Sequence, residues 1–180
     1  MKRLVLAATL ALLPMAAHAQ HQPQPYAGQE SRTIKALSPQ ETADLLAGRG
    51  MGLARAAELN SYPGPAHALE LREQLGLDAA QVAALEDQKR RMADAAITMG
   101  RQLVSAEREL DRLFAERRID AAALQARTEE IGRMQGRLRA VHLATHLETR
   151  SVLTEAQIRR YDELRGYTNT APAQQHRHRH

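Results

Sequence analysis

Between Ala79 and Arg118 two rows of side chains recur at every seventh residue: Val82, Lys89, Ala96, Leu103 and Leu110 in one, Leu85, Met92, Met99, Ala106 and Leu113 in the other. Nine of these ten are apolar. On a helix such rows run side by side as one stripe, so the spacing predicts a helix of about 40 residues, roughly 60 Å long, with a coiled-coil-like seam. "RRID" at 117–120 predicts a turn in which Asp120 caps the next helix, from Ala121 to about Arg150. Its seam reads Leu124, Ile131, Met134, Leu138 and Val141. The expected core is therefore a long antiparallel helical hairpin. With one Phe, four Tyr and no Trp, the chain lacks a large aromatic core. A hairpin this thin buries little by itself, which predicts a homodimer whose hairpins cover one another's apolar faces.

No alternating strand pattern appears, and the expected class is all-α with shorter helices flanking the hairpin. A first helix is expected from Pro39, after a Ser38 cap, to about Asn60, interrupted by the glycines of "GRGMG" at 48–52. Those glycines lack the spacing and preceding strand of a dinucleotide loop, and they predict a kinked or closely packed stretch. "YPGP" at 62–65 is a turn, and a short helix from about Ala66 to Leu75 should end at Gly76. A last helix should run from Glu155 to about Gly166.

Lys2 and Arg3 precede an apolar run from Leu4 to Ala16 and then "AHA" at 17–19. This reads as a secretory signal peptide over 1–19, cleaved after Ala19, because the run is far short of the roughly 20 residues of a spanning helix. The expectation is a periplasmic protein with no transmembrane anchor after cleavage. Residues 20–36 read as a disordered leader, 37–167 as the helical domain and 168–180 as a disordered His/Arg tail. The chain has no cysteine, so an exported product relies on packing or assembly for stability. Cleavage lowers the formal net charge from +4 to +2, and the basic clusters are interleaved with acids, which argues against a nucleic-acid partner. An enzyme is not expected: there is no cysteine nucleophile, no serine, histidine and acid in a recognisable order, and no phosphate loop.

Two phrases open helices alike, "LDAAQ" at 77–81 and "LTEAQ" at 153–157, with a weaker copy, "LSPQE", at 37–41. Asp78, Thr154 and Ser38 suit the N-cap. Gln81, Gln157 and Glu41, three residues on, suit the reciprocal bond of a capping box. The placement of Leu77, Asp78 and Gln81 before the first hairpin helix, and of Leu153, Thr154 and Gln157 before the last helix, resembles the Spy/CpxP family of periplasmic proteins. That family is marked by paired LTxxQ motifs. The chain is also similar to its ZraP/CnrX-like metal-responsive branch. Asp78 departs from the pattern's threonine but is an equally good cap. The resemblance implies a dimeric helical cradle acting as an ATP-independent chaperone or stress adaptor. Its partners would be partly unfolded periplasmic proteins or a sensor protein, and no cofactor would be required. Arg90, Arg101, Arg108 and Arg137 are the client-binding candidates it suggests, beside their simpler role as exposed helix solubilisers.

His142 and His146 are four apart on a predicted helix, so both rings project from one face a turn apart, as two ligands of one metal do. The helical wheel places them semi-buried at the edge of the seam, beside Leu143 and Leu147. If the helix before Gly76 folds back along the hairpin, His67 reaches the same level, giving a three-histidine cluster. The plainer alternative is boundary histidines bonded to a neighbouring carboxylate or carbonyl. Leu143 stands where a zincin's general-base glutamate would be, which excludes metalloprotease chemistry. Counted back from Leu153, the metal sensors' ligand positions fall on Thr145 and Thr149, so that site does not transfer. The tail adds His176, His178 and His180, able to bind Zn²⁺, Ni²⁺ or Cu²⁺ without a preformed site.

Overall fold

The computed structural model describes residues 24–168. The chain divides after Glu30 into two units, and residues 24–30 of the first make hydrogen-bonded turns. The described residues contain no strand, and their seven helices all lie in the second unit. They are α1 (Pro39–Leu46), α2 (Arg55–Glu58), α3 (Pro65–Glu70), α4 (Arg72–Leu75), α5 (Ala79–Ala115), α6 (Ala121–Val152) and α7 (Glu155–Arg165). None is long and apolar enough to cross a membrane. The proposed signal segment and His176, His178 and His180 lie outside the described residues.

Helix starts follow local chemistry. Ser38, Asp78 and Thr154 each close a full capping box, and Asp120 accepts the Ala123 N–H at 2.8 Å. Gly76 and Gly166 take the left-handed conformation that ends α4 and α7. The first helix is shorter than the expected span to Asn60. It stops at Leu46, because Gly48 turns left-handed against α5, where a Cβ would meet Ile97 Cγ1 at 3.0 Å and Ala93 O at 3.1 Å. Met51 and Gly52 also have positive φ, so the helical hydrogen-bond ladder cannot resume before Arg55. The expected 66–75 helix is likewise two pieces, parted at Leu71.

The two long helices pack on each other, and α1 and α3 pack on α5. Arg91 pairs with Glu148, and Thr149 donates to Gln88, so the start of α5 lies beside the end of α6. One apolar cluster joins Ile34, Leu45, Leu103, Val104, Ile131 and Leu138, and a second joins Leu75, Leu85, Leu153, Ile158 and Tyr161. Ile34 belongs to the stretch read as leader, yet it is buried, and Lys35 N–H donates to Asp111 Oδ1 at 3.0 Å.

The seams differ from the seven-residue rows in an instructive way. Leu85, Ala96, Leu103 and Ala106 are buried, but Lys89 and Leu124 are exposed. On α6 the buried face is apolar only at Ile131 and Leu138, and it then turns polar through His142, Thr145, His146 and Thr149. His142 and His146 are 3% and 8% exposed, so they occupy the contact face rather than its edge, while Leu147 is 60% exposed. Apolar periodicity misplaced them because α2, α3 and the turn between them pack on this face and bring Tyr62 O and Glu58 to His146.

Candidate functional site

The polar half of α6 is met by residues 55–67. After α2 the chain turns through Ser61, whose φ of 62° is left-handed, and three contacts pin that turn. Ser61 Oγ donates to Asp162 Oδ2 at 2.6 Å, and Arg150 donates to Ser61 O at 2.8 Å. The Arg150 guanidinium also lies 5.0 Å from the centre of the Tyr62 ring, a cation–π contact. The "YPGP" stretch is thus an arm clamped onto α6 and α7.

This clamp places Glu58, at the end of α2, in the interior at 9% exposure. Glu58 Oε1 accepts from the Tyr161 hydroxyl, from Tyr167 OH at 3.2 Å and from His67 Nδ1 at 3.1 Å, with Arg165 Nε at 3.7 Å. Burial, then the Glu58 bond, pushes the Tyr161 phenol far above its usual range, so it stays a hydrogen-bond donor. The other oxygen, Oε2, is buried without a hydrogen bond, 3.6 Å from His146 Nδ1.

His146 Nδ1 donates to Tyr62 O at 2.7 Å. His142 Nε2 is buried with no partner. Burial and then the neighbouring His146 lower the His142 pKa, keeping the imidazole neutral. His67, His142, His146, Glu58, Arg55, Met92 and Tyr167 line one cavity of about 510 Å³ with Gly50 and Gly64. Gly64 keeps it open: a Cβ there would stand 3.1 Å from His146 Nε2 and 3.5 Å from Glu58 Oε2. Among the described residues no three His, Cys, Asp or Glu side chains are already gathered as a metal-holding group.

The paired motifs meet elsewhere. Gln81 Nε2 donates to Gln157 Oε1 at 2.8 Å, and Gln157 Nε2 donates to Gln81 Oε1 at 2.9 Å. Each amide also reaches the carbonyl just before the other motif's leucine, Val152 O at 3.0 Å and Gly76 O at 3.4 Å. Each Oε1 meanwhile accepts its own cap N–H, from Asp78 or Thr154. A glutamate serves a capping box, as Glu41 does, but two carboxylates have no N–H to exchange. The clasp therefore explains glutamine at both places. Gln157→Glu should cost about 1 kcal/mol while keeping the cap; an unchanged urea midpoint would dismiss the clasp as an energetic contact.

Of the client-binding candidates, Arg90 is paired with Asp87, whereas Arg101, Arg108 and Arg137 are exposed and have no ion-pair partner among the described residues. His67, His142 and His146, far apart in sequence, do reach one cavity. Sequence reading missed Glu58, Tyr161 and Tyr167. Glu58 looks like any surface glutamate in "RAAELN", and only the long-range packing of α2 against α7 reveals its role. Comparison with known protein families, curated proteins and solved structures gives no match.

Proposed function

We propose that this chain is an exported, non-enzymatic helical protein of the Spy/CpxP type, a periplasmic chaperone or stress adaptor that holds partly unfolded proteins without ATP. In this reading residues 1–19 direct export, and the α5–α6 hairpin assembles as a dimeric cradle that the Gln81–Gln157 clasp locks to α7. The observation that carries it is three exposed arginines on the two long helices that have no ion-pair partner among the described residues, with exposed apolar side chains nearer the turn. Counted from the Arg91–Glu148 pair, Arg101 on α5 and Arg137 on α6 stand at nearly the same level, with Arg108 further along α5. Phe114, 53% exposed, and Leu124 lie beyond them toward the turn. Such a surface packs apolar client segments against arginine stems while the guanidinium groups stay hydrated. In excess chelator the protein should suppress aggregation of a chemically denatured test protein, and an Arg101→Ser, Arg108→Ser, Arg137→Ser variant should do so several-fold less well. Absent suppression, or a variant as effective as the parent, would reject the proposal.

A second reading, a periplasmic metal-responsive sensor or resistance protein, is favoured by one observation: His67, His142 and His146 line one cavity with Glu58, and His142 Nε2 and Glu58 Oε2 are buried there without a hydrogen-bond partner.

A further inference from the structure

The stretch "GRGMG" builds one wall of the cavity of about 510 Å³, which Gly50, Met51 and Gly52 all line. Met51 has a φ of 46° and Gly52 one of 78°. Glycine takes a left-handed backbone freely, but methionine does not, so Met51 is held there against its own preference. Its long apolar side chain is thereby kept on the cavity lining although it is 44% exposed. Leu59, also exposed, continues that lining with Met92 and Pro65. The charged groups of the cavity are segregated. Glu58 Oε2 lies beside Gly64, and the ion pairs of this carboxylate go to His67, His146 and Arg165. Arg55, one turn earlier on the same helix, turns the other way. Its guanidinium lies against Gly52, where a Cβ would stand 3.2 Å from Nη2, and it has no ion-pair partner among the described residues.

We propose that this cavity binds one small aliphatic carboxylate, its chain against Met51, Leu59 and Met92 and its carboxylate on Arg55. The inference goes beyond both readings of the function and rests on neither. Size and lining come first: the volume lies within the range of small-molecule sites, and such sites join a mostly apolar wall to a few polar groups. Charge then selects the head group. A guanidinium fork matches a carboxylate through two parallel hydrogen bonds, and Arg55 is free to make them. A cationic amphiphile would instead meet like charge at Arg55. Glu58 repels an anion from the Gly64 end, so the ligand has one favoured direction, head toward Gly52. The two methionines suit a flexible chain, because their unbranched side chains adapt to the shape of what they pack against. On this account the left-handed Met51 and Gly52 serve the site together, one supplying apolar wall and the other room for the Arg55 guanidinium.

The test titrates octanoate, 1-octanol and octylammonium into the full chain in excess chelator, so that no metal takes part. Calorimetry reads affinity, and amide NMR shifts read the place. Octanoate should bind at one molecule per chain, at least about tenfold tighter than octanol, since the head group adds a charge-assisted pair. Octylammonium should bind more weakly than either. The amides of Gly50 and Gly52 should shift with octanoate. Arg55→Gln should reduce octanoate to the affinity of octanol and leave octanol unchanged, which a general loss of structure would not do. Met51→Gly suits the left-handed backbone and so keeps the fold, yet it should weaken octanoate and octanol alike several-fold. Octanoate that fails to bind, binds no tighter than octanol, or binds both variants as it binds the parent would overturn the proposal.

Discussion

Gly100→Ala should lower stability by about 3 kcal/mol and the melting temperature by roughly 10 °C, the opposite sign to a usual glycine-to-alanine change within a helix. Removing a mid-helix glycine normally stabilises by about 0.5–1 kcal/mol. Here a Cβ at residue 100 would lie 2.0 Å from Leu45 O and 2.7 Å from Leu45 C. Those are backbone atoms, so no rotamer change relieves the overlap and α1 must move away from α5. Leu45 is buried in the cluster with Leu103 and Val104, and uncovering one such side chain costs about 1.5–3 kcal/mol. Gly132 and Gly136 on α6 provide the control, because a Cβ at either meets nothing within 4 Å. Gly132→Ala and Gly136→Ala should each stabilise by about 0.5–1 kcal/mol. Thermal melts of the three variants decide the matter: a Gly100→Ala chain as stable as the other two would show that α1 does not approach α5 this closely.

What the sequence made legible is what local chemistry determines. Ser38, Asp78, Asp120 and Thr154 cap helices because each carries a side-chain oxygen just ahead of free N–H groups, and that can be read without tertiary context. Leu85, Ala96, Leu103, Ile131 and Leu138 could be placed in the interior from their period alone. Reading failed where burial depends on a distant partner. A row of apolar positions cannot tell that α6 exchanges its apolar face for His142, Thr145, His146 and Thr149, since His146 meets Tyr62 O of an arm 84 residues earlier, Thr149 meets Gln88 of α5, and Thr145 turns back to Val141 O of its own helix. The histidines' spacing announced a pair. Glu58 was silent, because the groups that bury it, His67, Tyr161, Tyr167 and Arg165, come from α3 and from α7 and the residues just after it. The repeated phrase was half legible: its caps follow from residue type, but the exchange between Gln81 and Gln157 needs both helix starts in one place.

Glu58→Ala should be the second severe substitution, at about 3 kcal/mol, and its size follows from which partners can escape to water. Arg165 and His67 have side chains 31% and 41% exposed, so each rehydrates when the carboxylate is gone. Tyr161 cannot, because it is fully buried, and its hydroxyl would keep only the long 3.4 Å contact to His67 Nδ1. That desolvated hydroxyl accounts for about 1–3 kcal/mol, and the lost packing and the bond from Tyr167 supply the rest. Glu58→Gln keeps an oxygen where Oε1 stands and should cost only about 1 kcal/mol. Tyr161→Phe removes hydroxyl and demand together and should likewise cost about 1 kcal/mol. Combining it with Glu58→Ala should then cost less than the sum of the two, since the second change removes the orphan left by the first. Urea denaturation of the four chains measures this coupling. Full additivity would show that Tyr161 and Glu58 do not depend on one another, and the account of Glu58 as the acceptor that holds α2 and α7 together would have to be abandoned.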